Sequence, residues 1–454
     1  MSFRCLVLLL IAALLMGGSS RPDVMSLIML RPLAVVLLAA GLWTIRPEHW
    51  RTSPFVAAMA AAVVGLTLLH LLPLPPALWS LAPGRELIAE VDRAAGLGSV
   101  WRPLSMAPWL TWNAFFSLAI PLAVLVHGLQ LTRHELRTLM LLMLAAGGVT
   151  VVWGAMQMLA DPDASLYLYR QSNRGAGVGL FANRNHQALY LSAMLPMSAV
   201  AVAGNDGFAH HRERSLVLLF LTAAVLVTML LLLGSRAGLV CGVIGLAAMA
   251  AIVGLRLAGL KRRLRWLWPA AIGGFAVLAA LSVLAFVTGQ AASVQHALDT
   301  ADATGGGDLR FSVWPVAWNV ARLLAPLGSG IGTYQTVVQI FEPAAMLRST
   351  YSNHAHNDWL EVTMTAGLAG VLLLLVAMTG YARACWAAWR NRLRAEGLLA
   401  WAGLIVIFLC AVASMVDYPL RTPIISCLFV LACLWARAGI GAGRPEGNGE
   451  PPVA

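Results

Sequence analysis

The sequence predicts an all-α, polytopic integral membrane protein with about 12 transmembrane helices and one large, partly helical loop. Two observations carry that prediction. Of 454 residues, 59% are hydrophobic and only 11% are charged. Soluble domains carry about 25% charged residues, so this chain lacks the polar surface to cover a water-soluble core of its size. The apolar residues also fall into runs of about 20, the length a helix needs to cross the hydrocarbon core. A soluble enzyme, a disordered chain and a secreted disulfide scaffold are excluded.

The runs lie at 3–18, 25–44, 54–73, 106–129, 138–160, 186–204, 215–234, 237–255, 266–288, 356–380, 398–416 and 422–440. The first is short and follows only Arg4; it reads as a retained span rather than a cleaved leader. Only Gly234, Ser235 and Arg236 separate the seventh and eighth, which predicts a tight helical hairpin. The whole chain reads as one integral domain, with a flexible polar tail over 441–454.

Basic residues give the orientation. Arg256, Lys261, Arg262, Arg263 and Arg265 form one cluster, and Arg383, Arg390, Arg392 and Arg394 another. Arg46/Arg51, Arg133/Arg137 and Arg212/Arg214 are smaller pairs. Twelve spans put all of them on the side of both termini, which the positive-inside rule makes the cytoplasm. The formal net charge of +11 is carried by that side. The excess is therefore explained by topology and lipid contact, and no nucleic-acid partner is needed. The six cysteines lie in apolar runs or beside a basic segment and form no CxxC motif, so redox or zinc chemistry at Cys is not expected.

The opposite side carries the longer loops, about 74–105, 161–185 and 289–355, and the polar residues gather there. Almost no ionisable residue falls mid-span. That argues against a proton-coupled transporter, which needs such relays. It favours a reaction centre at the outer interface.

Four segments hold candidate chemistry. Arg170, Arg174 and Arg184 flank a Gly-rich run ending Asn183-Arg184-Asn185-His186, at the head of a span. It reads either as an anion site at a helix N-terminus or as a polar turn. Arg236 is either a snorkelling end residue or a further cation for the same anion. In Asp308-Leu309-Arg310-Phe311-Ser312-Val313-Trp314-Pro315, Ser312 is a candidate N-cap, with Arg310 just ahead of the helix. Trp314 and Trp318 share a helix face suited to the membrane interface. His354-Ala355-His356-Asn357-Asp358-Trp359-Leu360-Glu361 is the densest polar set. His356 can serve as a general base; a His-x-His metal pair and simple helix capping are the competing readings. Gly328-Ser329-Gly330-Ile331-Gly332 reads as a turn, since no strand precedes it. Asp417 and Arg421 in the last outer turn either pair with each other or complete the site.

These segments occur in the order Gly179-x-Phe181-x-Asn183-x-Asn185, Ser235-Arg236, Arg310-x3-Trp314, Gly328-x-Gly330-x-Gly332 and His356-Asn357-x2-Leu360-x6-Gly367-x2-Gly370. Over about 170–380 that order resembles the O-antigen ligase and polymerase superfamily of bacterial inner membranes. The resemblance implies a multi-pass glycosyltransferase with its active face in the periplasm, needing neither metal nor other cofactor. It implies a donor glycan carried on undecaprenyl diphosphate and an acceptor that is lipid A-core or another lipid-linked glycan. By the same resemblance Arg236 and Arg310 hold the diphosphate and His356 activates the acceptor hydroxyl. Arg174, Arg184, His354, Asn357, Asp358, Trp314 and Arg421 are the substrate-binding candidates. Two readings of other classes stand beside it: a transporter of the same lipid-linked glycan, and a non-catalytic partner of an envelope-polysaccharide machine.

Overall fold

The computed structural model describes residues 1–161, 165–204, 208, 210–258, 273, 309–344, 352–390 and 397–441. Helices dominate. In chain order they are α1 (Ser2–Met16), α2 (Leu27–Thr44), α3 (Pro47–Arg51), α4 (Pro54–Leu71), α5 (Pro76–Trp79), α6 (Glu86–Ala94), α7 (Pro108–Ser117), α8 (Ala119–Gly128) and α9 (Arg133–Leu159). There follow α10 (Arg184–Ala203), α11 (Arg212–Leu232), α12 (Arg236–Ala258), α13 (Leu309–Leu323), α14 (Tyr334–Phe341), α15 (Asp358–Arg390), α16 (Leu398–Ala413) and α17 (Pro423–Gly441). The strands β1 (Pro73–Leu74) and β2 (Arg102–Pro103) pair antiparallel.

Among the described residues, eight helices are long and apolar enough to cross a membrane, fewer than the expected count of about twelve. The differences have physical reasons. The expected span 266–288 lies outside the described residues, as does 289–308 of the expected large loop. The first and eleventh runs form apolar helices of 15 and 16 residues, shorter than a full crossing. The run at 106–129 is one of the eight, though it is built as two helices, α7 and α8, meeting at Leu118. Pro121 has no N–H to give the Ser117 carbonyl, so the ladder is interrupted there. The run at 186–204 is α10, which buries sixteen of its twenty residues. A helix covered on all sides belongs to the interior of a bundle, and α10 packs against α9, α11, α12 and α16. The helix opening near 356 continues to Arg390, ten residues past the expected end.

α1 is part of the core, with Leu6, Leu9 and Leu10 buried against α2, α8 and α17. The hairpin at Gly234 forms as expected: Gly234 takes the left-handed φ of 66° and α12 opens at Arg236.

The segment between α4 and α7 is folded onto the same end of the bundle. Arg85 is buried, and its guanidinium donates to the carbonyls of Pro83, Leu104 and Gly328, each at 2.8 Å. Burial pushes Arg85 down to about 10, so it is still a cation at neutral pH. The Gly328–Gly332 turn then meets a break in α15. Gly367 has φ 60° and ψ −151°, which no L-residue adopts without strain. The freed backbone is reused: the Leu368 N–H donates to Pro326 O at 2.8 Å and the Gly330 N–H to Thr365 O at 2.8 Å. A Cβ on Gly328 would lie 2.6 Å from Thr365 O, so both glycines are demanded by close backbone approach. The turn read from the sequence is thus one half of a joint that sets the angle at which α15 presents its first turn.

Candidate active site

Five helix N-termini converge at one end of the bundle: those of α10, α12, α13, α15 and α17. Each carries the positive end of a helix dipole. Side-chain caps start three of them. Asn183 caps α10, its Oδ1 accepting the Asn185 N–H at 2.8 Å. Ser235 starts α12, its Oγ accepting the Gly238 N–H at 2.9 Å. Asn357 starts α15, its Oδ1 accepting the Leu360 N–H at 3.1 Å. Side chains then tie the termini together. Ser235 Oγ donates to Asn185 Oδ1 at 2.8 Å, and Asn185 Nδ2 donates to Asp417 Oδ2 at 2.7 Å.

The cationic half of the site is Arg184, Arg236 and Arg310. Arg184 and Arg236 head their helices, and Arg310 lies in the first turn of α13. The described part of α13 opens at Leu309, so Ser312 sits inside the helix and is not its N-cap. Burial, followed by the like charges of Arg236 and Arg310, pushes the Arg184 guanidinium below its ordinary value. Arg184 is thus near enough to Arg236 and Arg310 to feel both as like charges, with all three at or near helix N-termini, where anions are favoured.

The acid–base half centres on Asp417, which is 2% exposed. Its Oδ1 lies 3.3 Å from His356 Nδ1, and its Oδ2 lies 3.9 Å from His186 Nε2. His186 Nδ1 shares a 2.8 Å hydrogen bond with the Thr422 hydroxyl. Burial opposes ionisation of Asp417, yet His356, His186 and Asn185 together hold its carboxyl well below the usual carboxylate range. His356 has φ 51°, a left-handed backbone that a β-substituted residue seldom takes. Strain of this kind costs on the order of 1–3 kcal/mol and collects at functional sites. It is held in place from both sides. The Ala355 N–H donates to Glu361 Oε2 at 3.0 Å, and the Asp358 N–H donates to Ser414 O at 2.8 Å. Trp314 Nε1 donates to Ala355 O at 2.9 Å, so α13 holds the same loop.

A second buried network adjoins the first. Arg421 reaches Asp358 Oδ1 through Nε at 3.0 Å and Glu361 Oε1 through Nη2 at 2.9 Å. Glu361 Oε1 also lies 3.1 Å from His354 Nδ1. Tyr418 separates the two networks, its ring centroid 4.3 Å from that of His354 and 4.8 Å from that of His356. Burial, then the charges of Asp417 and Glu361, push its phenol well above its ordinary value.

Of the two readings of Asp417 and Arg421, mutual pairing does not form and both residues join the cluster instead. The 3-10 turn Pro419–Arg421 carries Arg421 to Asp358 and Glu361, while Asp417 faces the histidines. The two histidines of His354-Ala355-His356 likewise face different carboxylates. Among the described residues, no group of three His, Cys, Asp or Glu has the placement to hold a metal ion. Arg174 is exposed, its guanidinium 5.3 Å over the Tyr167 ring. The neighbouring Asn173 touches the cluster, its Oδ1 accepting the Arg184 N–H at 3.0 Å. Trp314 and Trp318 differ in setting: Trp314 holds Ala355, and Trp318 is half exposed.

Residues 221–375 match the family described as O-antigen ligase. That region belongs to the O-antigen ligase superfamily. A search of curated proteins returned no match. The O-antigen ligase region contains Arg236, Arg310, the Gly328–Gly332 turn and the His354–Glu361 segment. Arg184, Asp417, Tyr418 and Arg421 lie outside it and reach it through folding. Of these, Tyr418 was not expected from sequence; Asp417 was expected at the site as one of two readings, and Asn185, His186 and Glu361 stood in candidate segments without an assigned role. Asp417 had a visible signal: it is the lone acid between Leu398 and Gly441.

The His354 network predicts an acid-sensitive fold. Burial is the largest influence on His354 and lowers its pKa, and the attraction of Glu361 only partly offsets it. The unfolded chain, with His near 6.5, then binds the proton more readily than the folded one. Stability therefore rises with pH and falls as pH drops through about 6.5. Thermal midpoints of the detergent-solubilised protein from pH 7.5 to 5 should decline, and His354→Gln should flatten that decline. An equal decline in both would remove His354 as its source.

Proposed function

We propose that this protein transfers a glycan from undecaprenyl diphosphate to lipid A-core at the periplasmic face of the bacterial inner membrane, as an O-antigen ligase. The observation that carries this reading is the gathering of Arg184, Arg236 and Arg310 at the end of the bundle that holds the His356–Asp417 pair, linked through Ser235 and Asn185. In the proposed orientation both termini are cytoplasmic, and the convergent helix N-termini face the periplasm.

The geometry suits a direct displacement. With the proton on Nδ1 held toward Asp417, Nε2 of His356 is the basic nitrogen. It takes the proton of the acceptor hydroxyl as that oxygen attacks the anomeric carbon. The bond from that carbon to the phosphate oxygen breaks, and the lipid diphosphate departs with its electron pair. The arginines stabilise the charge that develops, from positions fixed before the reaction begins. Inversion at the anomeric carbon follows from this single displacement. The 3.3 Å His356–Asp417 separation is loose for a hydrogen bond, and such contacts often tighten only when substrate binds.

The sequence family includes polymerase-type function as well, with a second lipid-linked repeat as acceptor. A deletion strain complemented with wild type or His356→Ala separates the two. Polymer left on its lipid carrier, with none on lipid A-core, is the expected result for the deletion and for His356→Ala. Single repeats accumulating on the carrier would mean a polymerase. Unchanged glycans in both strains would leave a non-catalytic partner.

A further inference from the structure

Next to His354 and Arg421 lies a chamber of about 260 Å³ that the three arginines do not line. Its lining includes Arg31, Asn113, Ser117, Gln335 and Asn353 along with His354 and Arg421. Arg31 is the single charged residue of α2, one turn inside a helix long and apolar enough to cross a membrane. An ionised side chain at that depth is expensive and marks a functional position by default. Arg31 Nη2 donates to Asn113 Oδ1 at 2.7 Å and to Ser117 Oγ at 2.8 Å. Its Nε is buried and, among the described residues, has no hydrogen-bond partner. Among the described residues no carboxylate is bonded to it, and its guanidinium lines the chamber as a cation without a counter-ion.

Beside the chamber lies a much larger apolar groove of about 1200 Å³ between α4, α8, α15 and α17. The two share Val63, Leu118, Pro121, Leu420 and Ser426 as a common neck. The groove runs from that neck to Arg383 and Arg437. Along α17, Ser426 to Arg437 is roughly 16 Å at 1.5 Å per residue, about half the hydrocarbon thickness of a bilayer. A cationic chamber beside an apolar groove has the shape of a site for an anionic amphiphile.

We infer that the chamber and groove hold the acceptor lipid, with its anionic head on Arg31 and an acyl chain in the groove. The inference rests on the transfer reading above and assigns its second substrate a place. The choice of acceptor over donor follows from position. Arg184, Arg236 and Arg310 do not line the chamber, and Tyr418 with its flanking histidines lies between the two. In a direct displacement the attacking hydroxyl approaches opposite the departing diphosphate. A second substrate therefore enters from the side of the site that the arginines do not occupy.

The test is lipid binding by native mass spectrometry of the full chain in detergent, with lipid A and undecaprenyl diphosphate as separate probes. Arg31→Gln removes the cation. Ser426→Trp and Val63→Trp fill the neck from two different helices, so a folding defect in one leaves the other; Val63 is exposed on α4 and tolerates bulk. Each variant should weaken lipid A binding at least tenfold and leave undecaprenyl diphosphate within twofold. Arg236→Ala should do the reverse. Unchanged lipid A affinity in the neck variants, or loss of the carrier lipid instead, overturns the inference and leaves the transfer reading standing. Displacement of lipid A by an equal concentration of phosphatidylglycerol would make the groove a bulk-lipid site and also overturns it. A wild-type protein that binds neither probe overturns the transfer reading together with the inference.

Discussion

Arg236→Ala and Arg310→Ala are each expected to cut glycan transfer by about 10²–10³, the usual cost of losing one fixed donor to developing charge. The expectation follows from where the charge goes. Breaking the sugar–phosphate bond leaves an additional negative charge on the lipid diphosphate, at a site where the nearest cations are guanidinium groups. Arg184 already feels Arg236 and Arg310 as like charges. Removing one cation relieves part of that repulsion, and turnover should collapse without a matching fall in the thermal midpoint. That contrast distinguishes loss of catalysis from loss of fold. Lysine substitutions should recover part of the rate, since the charge returns without the two-pronged geometry. A double variant should lose less than the product of the single losses, because the arginines act on one leaving group. Turnover and midpoint measured on the same preparations check all three statements. A midpoint that falls in step with activity would reassign these residues to structure.

The largest stability effect is expected at Glu361. It is 1% exposed and holds three partners: Arg421 at 2.9 Å, His354 at 3.1 Å and the Ala355 N–H at 3.0 Å. Glu361→Ala removes the carboxylate and leaves the Arg421 guanidinium with only Asp358 to offset it. Breaking a buried pair in this way costs roughly 3–5 kcal/mol. Glu361→Gln keeps the shape and should lose less. The exposed Arg21–Asp23 pair is the control, and Asp23→Ala should change stability by no more than about 1 kcal/mol. Unfolding followed in detergent by loss of tryptophan signal orders the three variants. Glu361→Ala as stable as Asp23→Ala would mean that the network contributes nothing to the fold. Activity should fall with Glu361 as well, since the Ala355 N–H bond is one of the contacts that hold His356 in its left-handed backbone.

Much of the architecture was legible in hydropathy, because a membrane-length apolar run is a long signal and needs no partner to be read. The departures came where backbone chemistry or packing intervened. Pro121 divides one run into α7 and α8. The polar residues of α10, among them His186, Gln187 and Ser192, lower its hydropathy while tertiary packing buries it. The site was legible in part for the same reason. His354 to Glu361 stands out as a polar island, and Arg236 and Arg310 stand in the order typical of the superfamily. The pairing within the site was not legible. Asn185, Ser235, His356 and Asp417 come from four separated elements, and nothing local says which carboxylate faces which histidine. The nearest local choice was Asp417 with Arg421, four residues apart. The 3-10 turn at Pro419 defeats it by sending Arg421 to the first turn of α15.

In the proposed function His356, backed by Asp417, drives transfer of a lipid-diphosphate-linked glycan to a lipid acceptor. The direct measurement is the mass of the product made by purified full-length protein from undecaprenyl-diphosphate-linked glycan and lipid A-core, for wild type, His356→Ala and Asp417→Asn. Wild type should join glycan to lipid A-core with inverted anomeric configuration. His356→Ala should turn over about 10²–10⁴-fold more slowly, with Asp417→Asn also impaired and all three equally folded. Product formed by His356→Ala at the wild-type rate would contradict the account, as would a product that retains the donor's anomeric configuration.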